Sequence, residues 1–232
     1  MKRALAILLA LAMALIGAAG MAEAATLTVR GSGVVNMDAD TATIILGVRE
    51  VSKDVADAQR AVNTKISSVT QTLMDMGIAP EAIHTSSISI YPEYDYDSMD
   101  QPIKGYTAEN TITVTTQDVE HIGAYIDAAF EAGANAFNDI SFSASDLTSE
   151  SRQALGLAVE NGREKAEVLA AASGMKLGEV ISIVEEPYGY VDSDARFAKA
   201  EAATGDVGTP VYASKLQVSA SVTIQFELLP TD

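Results

Sequence analysis

The chain has no cysteine and no tryptophan among its 232 residues, and it has only two histidines. The absence of cysteine excludes disulfide bonds, thiolate metal sites, a cysteine nucleophile and lipid attachment through a lipobox thiol. The absence of tryptophan removes the commonest platform for stacking on sugars. His84 and His121 each lack a second histidine at i+3 or i+4, which is the paired-ligand pattern of a helical zinc site. The sequence therefore predicts neither a resident metal nor a cofactor.

Positive charge is also scarce, with 15 lysines and arginines against 32 aspartates and glutamates and a net charge of −17. Nucleic acid and anionic lipid both need a basic surface, so the composition argues against either as a partner. The excess of negative charge is typical of a protein kept soluble in an exposed compartment. Binding of cations or of a basic partner is the alternative.

The clearest long apolar run lies at the N-terminus. Lys2 and Arg3 precede an apolar stretch over residues 4–16, and residues 22–24 read Ala-Glu-Ala, an A-x-A cleavage signal. The apolar stretch is shorter than the roughly 18–20 residues that a spanning helix needs. We therefore predict a cleaved signal peptide over residues 1–24, no transmembrane segment after cleavage, and a periplasmic or secreted protein.

After the signal, strand-like and helix-like patterns alternate. A short strand at Leu27 and Val29 is expected to end in a bend at residues 31–33, where two glycines flank a serine. Period-2 alternation predicts strands over the segments near 42–48, 88–91, 106–114, 140–142, 180–184 and 216–228. The last of these is the longest and most regular, so we place it near the middle of a sheet.

Three helices are predicted between these strands. The first carries apolar residues at spacings of three and four from Val55 to Met76, with Ser52 or Asp54 as its cap and Gly77 as its terminator. Asp118 is expected to cap the second helix. The third runs from about 149 to 173, and its predicted stripe consists of Ala154, Ala158, Asn161, Lys165, Val168 and Ala172.

This order of elements predicts the α+β class, with a mixed, largely antiparallel sheet and helices packed on it. Two strand-helix-strand units follow one another, over residues 41–91 and 105–143. We expect a single domain over residues 25–232. Residues 187–214 are rich in Ala, Gly, Asp and Pro without a period, and we interpret them as a mobile surface excursion with a helical turn at 198–203.

The best candidates for a binding site are two loops rich in tyrosine and aspartate. The first contributes Tyr94, Asp95, Tyr96, Asp97 and Asp100, and the second contributes Tyr188, Tyr190, Asp192 and Asp194. Tyrosine is enriched at interfaces, so the two loops could meet and form a recognition surface. Oxygen ligands at short spacing also suit calcium, although the pattern is not that of an EF-hand. Calcium-dependent adhesion is thus one alternative function.

Motifs for catalysis are missing. The chain has no G-x-S-x-G elbow, and the glycines at 31 and 33 lack the third glycine of a dinucleotide-binding loop. Acidic pairs exist, for example Glu185 and Glu186, and a glycosidase needs two carboxylates at a set separation. A hydrolase of envelope glycans that uses acidic residues is therefore a second alternative, but we predict that the protein is not an enzyme.

Several segments together resemble the SIMPL-domain family. They are Leu27–Gly33, Asp40–Val48, Gly77–Ile78, His84–Tyr94, Gly105–Tyr106, Asn110–Val114, Ala132–Asn135, Ile140–Phe142 and Leu216–Phe226. The resemblance covers about residues 26–229. It implies an α+β envelope protein without an established catalytic activity, linked to oxidative-stress defence, and it makes a homo-oligomer plausible.

The sequence thus predicts an exported, non-enzymatic SIMPL-domain protein of the cell envelope. Its role is expected to be self-assembly, or binding of an envelope protein partner, in connection with stress tolerance. The resemblance carries no active-site residue over to this chain. The length and acidity of the excursion over 187–214 depart from the family pattern.

Overall fold

A computed structural model describes residues 25–186, 191–193, 208–213 and 215–231. Its strands are β1 (Thr26–Asp38), β2 (Thr41–Ser52), β3 (Ile83–Tyr94), β4 (Ile103–Thr116), β5 (Ala136–Ser143), β6 (Met175–Glu186), β7 (Val191–Ser193) and β8 (Lys215–Pro230). Its helices are α1 (Val55–Asp75), α2 (Ile122–Glu131) and α3 (Thr148–Ala172), with short 3-10 turns at Pro80–Ala82 and Val119–His121. The predicted signal peptide and the predicted helical turn at 198–203 lie outside the described residues.

One sheet has the strand order β3-β4-β2-β5, and its pairs are antiparallel. The two predicted strand-helix-strand units, β2-α1-β3 and β4-α2-β5, are both present, and each places a strand of the other between its own two strands. The result is the interlocked βαββαβ arrangement of ferredoxin-like folds. The predicted α+β class is therefore confirmed.

The core of this sheet lies under α1 and α2. The alternating residues of β2 that were predicted to be half-buried are at most 1% exposed: Ala42, Ile44, Leu46 and Val48. They pack with the predicted stripe of α1, which buries Ala58, Val62, Ile66, Val69 and Leu73. The spacing of these residues puts them on one side of the helix, which explains why this helix could be located from the sequence.

Asp54 caps the start of α1. Its carboxylate accepts hydrogen bonds from the backbone N–H groups of Ala56 (2.9 Å) and Asp57 (3.2 Å), which have no partner inside the helix. Gly77 ends the helix with a φ of 101°, a left-handed conformation that favours glycine. Both were among the predicted helix signals.

The prediction that Asp118 caps the second helix holds for its position before the helical segment, but not for its side chain. A 3-10 turn precedes α2, and the Asp118 carboxylate makes no capping hydrogen bond. It accepts hydrogen bonds from side chains one and two turns further on, from His121 Nδ1 at 2.8 Å and from the Tyr125 hydroxyl at 2.9 Å.

The second sheet has the order β1-β8-β6, with β7 also pairing with β8. The central position predicted for the last strand is confirmed. The predicted bend at residues 31–33 is wrong, since β1 continues through Gly31 and Gly33. A Cβ atom on Gly31 would lie 2.0 Å from the Ala158 carbonyl oxygen, so this glycine allows the strand to lie against α3.

The buried stripe of α3 differs from the predicted one. It contains small residues spaced four apart, namely Ala154, Ala158, Gly162, Ala166 and Ala170. Of the predicted members, Val168 is 68% exposed, and Lys165 reaches the Arg30 carbonyl oxygen at 3.1 Å. Asn161 accepts a hydrogen bond from the Ser32 N–H at 3.1 Å. The long side chains of α3 lie beside its contact with β1, and only small residues fit within that contact.

The chain forms two compact units. One contains the described parts of residues 1–33, 155–188 and 220–232, and the other those of residues 34–154 and 189–219. The predicted excursion over 187–214 includes the short strand β7, and Thr209 is hydrogen-bonded to Asp127. Among the described residues, no helix combines the length and apolar character that crossing a membrane requires.

Candidate functional site

The first tyrosine-aspartate loop is the hairpin tip between β3 and β4. Tyr94 is the last residue of β3, and the Asp95 N–H donates to the Pro102 carbonyl oxygen at 2.9 Å. The Asp95 carboxylate accepts from the N–H of Asp97 at 3.1 Å and from the hydroxyl of Ser98 at 2.9 Å. Both of its oxygens therefore hold the turn together, as an aspartate commonly does at the start of a turn.

The rings of this loop face solvent. Tyr94 is 39% and Tyr96 is 74% exposed, and their ring centroids are 6.4 Å apart with an interplanar angle of 57°. Asp97 and Asp100 are exposed as well. Two tilted aromatic rings on a hydrogen-bonded turn can contact a partner at a low cost in conformational entropy.

The second tyrosine-aspartate loop falls mostly outside the described residues. This applies to Tyr188, Tyr190 and Asp194. Asp192 lies in β7, where its backbone pairs with Gln217 of β8. A recognition surface formed jointly by the two loops stays a prediction.

Several aspartates at half-exposed or exposed positions have an altered pKa because their carboxylates accept hydrogen bonds. Hydrogen bonds from the Ser145 hydroxyl and from neighbouring groups lower the pKa of Asp40, and the Thr209 hydroxyl lowers the pKa of Asp127 in the same way. The Thr148 hydroxyl lowers the pKa of Asp146. A general acid needs the opposite change, a raised pKa.

Asp118, His121 and Tyr125 form a small cluster at the start of α2. The hydrogen bond from His121 lowers the pKa of Asp118, and the same contact raises the pKa of His121. Burial, reinforced by the hydrogen bond to Asp118, raises the pKa of Tyr125. Within the described residues, no three histidine, aspartate or glutamate side chains are grouped so that they could hold a metal ion.

A cross-strand network that the sequence analysis missed lies on β2, β3 and β4. The Arg49 guanidinium lies 5.8 Å from the centroid of the Tyr91 ring and 3.7 Å from Glu93 Oε1. Thr107, which is fully buried, donates its hydroxyl to the same oxygen at 2.5 Å. The strand register that places these side chains together comes from the interleaved sheet order, for which the sequence contains no local signal.

Strand β6 exposes a row of apolar side chains at the edge of its sheet. They are Val180 (36%), Ile181 (51%), Ile183 (51%) and Val184 (58%). The position of this strand was predicted from the sequence, but its exposure was not. The signal was present, because apolar residues on both faces of a strand, interrupted only by Ser182, differ from the alternation of the half-buried strands β2 and β8.

One family model and two known proteins match most of this chain. The model of the SIMPL family, described as "Protein of unknown function (DUF541)", matches residues 27–226. The "Uncharacterized protein YggE" of Escherichia coli K12 is 29% identical over 227 residues, which cover 94% of this chain and 92% of that protein. The "26 kDa periplasmic immunogenic protein" of Brucella melitensis is 27% identical over 214 residues, 89% and 86% of the two chains.

Proposed function

The chain belongs to the SIMPL family, and on that premise we propose that it is an exported envelope protein that acts by self-assembly or by binding, without catalysis. The name of the Brucella relative supports an extracytoplasmic location, since it describes that protein as periplasmic. The N-terminal pattern of residues 1–24 supports export independently.

The observation that carries the proposal is the exposed apolar edge of β6. An edge strand offers unpaired backbone N–H and C=O groups, and natural proteins usually protect such edges with charges, proline or a bulge. Here two register shifts interrupt the pairing of β6 with β8, yet Ile181 and Ile183 remain half-exposed. Exposed apolar surface of this kind is typical of an interaction site.

The buried polar groups and the carboxylates of the described residues support a role without catalysis. Among the described residues, the buried Thr107, Asn110 and Thr111 are not ionisable, and the buried Tyr125 donates its hydroxyl to Asp118. The glycan-hydrolase alternative requires a carboxylate pair with separated pKa values, and the altered carboxylate pKa values in the described part of the chain are all lowered. The calcium alternative depends on the two tyrosine-aspartate loops meeting.

The test is the solution mass of the purified protein, measured by size-exclusion chromatography with light scattering. We expect a multi-subunit particle that dissociates when Ile181 and Ile183 are both replaced by lysine. The matched control replaces Phe130 and Met76, two apolar residues with 41% and 38% exposure at or near helix ends, by lysine. The control should leave the mass unchanged.

A monomer at all concentrations would reject self-assembly by β6 and leave binding of an envelope partner as the role. The link to oxidative stress is tested separately in the native host. A deletion strain should grow less well in hydrogen peroxide, and the wild-type gene should restore growth. If the edge variant restores growth equally well, the exposed edge of β6 is not needed for that role.

A further inference from the structure

A cleft of about 540 Å³ opens at the end of the β2-β4-β3 part of the first sheet. It is lined by Val51, Ser52, Lys53, Glu93, Lys104 and Gly105. Lys53 directly precedes the cap of α1, and Lys104 lies near the start of β4. Register explains why distant residues meet here, because Glu93 of β3 pairs with Gly105 of β4, and Ser52 of β2 pairs with the next residue along β4.

The two lysines are unusual for this chain. In the part of the chain that the structure describes, Lys53 and Lys104 have no carboxylate within ion-pair distance and no hydrogen-bond acceptor or aromatic partner. Each of the other described lysines and arginines has such a contact or an electrostatic partner. The chain carries about twice as many acidic as basic residues, yet the two unpaired cations of the described residues line one cleft.

Glu93, the acidic residue of the cleft, does not neutralise the positive charge of the two lysines. Glu93 already has the Arg49 guanidinium 3.7 Å from its Oε1, and the same oxygen accepts the Thr107 hydroxyl at 2.5 Å. With the charge of Glu93 offset by Arg49, the ammonium groups of Lys53 and Lys104 leave the cleft with a positive charge. A lysine ammonium binds carboxylate and phosphate oxygens as a compact point charge.

Space for a ligand depends on Gly105. A Cβ atom at this position would lie 3.0 Å from the Ser52 carbonyl oxygen and 3.8 Å from Val51 Cγ1. The missing side chain therefore keeps the lining of the cleft open. Its volume lies within the range of small-molecule sites.

We propose that this cleft binds a small organic molecule through a phosphate or carboxylate group held by Lys53 and Lys104. The proposal goes beyond the envelope role and does not depend on it. A second cleft, of about 640 Å³, also carries basic residues but leaves none of them unpaired. It is lined by Arg30 and Lys165 among others, but Arg30 pairs with Glu186 and Lys165 bonds the Arg30 carbonyl, so its cations are already engaged.

The experiment titrates the purified protein with three probes, namely inorganic phosphate, glycerol phosphate and succinate. Binding is followed by calorimetry and by the NMR signals of the lysine side chains. We expect millimolar or tighter binding of at least one probe, weakened at least about tenfold in the Lys53→Gln/Lys104→Gln variant. The matched control, Arg60→Gln/Lys215→Gln, removes the same charge from side chains that are 73% and 77% exposed, and it should bind as the wild type does.

A second variant separates the loss of charge from the loss of space. Gly105→Val keeps both lysines and fills the cleft, so it should also abolish binding. Its circular dichroism spectrum shows whether β4 still folds. A preference for glycerol phosphate or for succinate identifies which anionic group is recognised. The proposal is overturned if none of the three probes binds, or if the lysine variant binds as tightly as the control.

Discussion

The contact between β1 and α3 is tested by a series of glycine-to-alanine variants, of which Gly31→Ala is the severe member. A Cβ atom on Gly31 would lie 2.0 Å from the Ala158 carbonyl oxygen and 2.8 Å from the Gly162 nitrogen. Both are backbone atoms of a helix, so no side-chain rotation can relieve the overlap. The strand and the helix would have to separate by about 1 Å.

The expected cost follows from the contacts that such a separation disturbs. Overpacking of a close contact costs about 1–3 kcal/mol. The hydrogen bond from the Ser32 N–H to Asn161 lies next to the overlap, and its net loss adds about 1 kcal/mol. We therefore expect the free energy of unfolding to fall by about 3 kcal/mol.

Two other glycines provide graded controls within α3. A Cβ atom on Gly156 meets no atom within 4 Å, so Gly156→Ala should stabilise the protein by about 0.5–1 kcal/mol through helix propensity. A Cβ atom on Gly162 would lie 2.8 Å from Ile224 Cδ1, the end of a flexible side chain. Gly162→Ala should therefore fall between the other two variants.

Urea unfolding followed by circular dichroism measures all three free energies. With a slope of about 2 kcal/mol per molar urea, Gly31→Ala should lower the midpoint by about 1.5 M. A loss of less than about 1 kcal/mol in the free energy of unfolding of Gly31→Ala would refute this prediction. A Gly31→Ala variant more stable than Gly162→Ala would refute it as well. Either result would mean that β1 and α3 separate at little cost.

Three further predictions concern single aspartates. Asp54→Ala removes the cap of α1 and should cost about 1 kcal/mol in urea unfolding. Asp118→Asn should return the pKa of His121 towards 6.5 in an NMR titration, since Asp118 raises it. In the wild type, the stabilisation from His121 is fully present below pH 6.5 and is lost as pH rises through its raised pKa. Asp127→Ala removes the acceptor of Thr209 and should speed amide exchange over residues 208–213.

Each of these has an outcome that contradicts it. Asp54→Asn retains an oxygen acceptor and should restore most of the loss, so an equal loss would argue against capping. An unchanged His121 titration in Asp118→Asn would mean that the ion pair does not form in solution. Equal exchange rates with and without the Asp127 carboxylate would show that residues 208–213 are held by other contacts.

The elements of the fold could largely be predicted because their signals are local. The α1 stripe, its Asp54 cap and its Gly77 terminator lie within about 25 residues, and each reflects a backbone or packing requirement of that segment alone. The alternation of β8 is a local signal of the same kind. These predictions depended on no knowledge of which strands are neighbours.

The errors occur where a residue serves a distant partner. Gly31 has the sequence appearance of a bend, but its role is set by Ala158 on a helix far along the chain. Asp118 has the sequence position of a helix cap, but its carboxylate accepts hydrogen bonds from the Tyr125 hydroxyl and from His121. The interleaving of β2-α1-β3 with β4-α2-β5 likewise depends on strand pairing, which the order of elements does not reveal.

The candidate sites also differ in whether their signals are local or depend on distant partners. The first tyrosine-aspartate loop was located from its composition, which is a local signal. The cleft at Lys53 and Lys104 was not predicted, because the two lysines are 51 positions apart in sequence and meet only through the register of β2 with β4. Their lack of partners is a property of the folded molecule.

The pairing of the first strand with the last has a consequence for the order of events in the cell. Strand β8 lies between β1 and β6, and the Leu228 N–H donates to the Ala25 carbonyl oxygen at 2.7 Å. This sheet cannot close until β8 has been synthesised, because β8 is its central strand and follows both β1 and β6 in the chain. Such non-local pairing folds slowly. For the export that we propose, this late and slow closure keeps the chain open in this part of the fold until β8 pairs with β1 and β6.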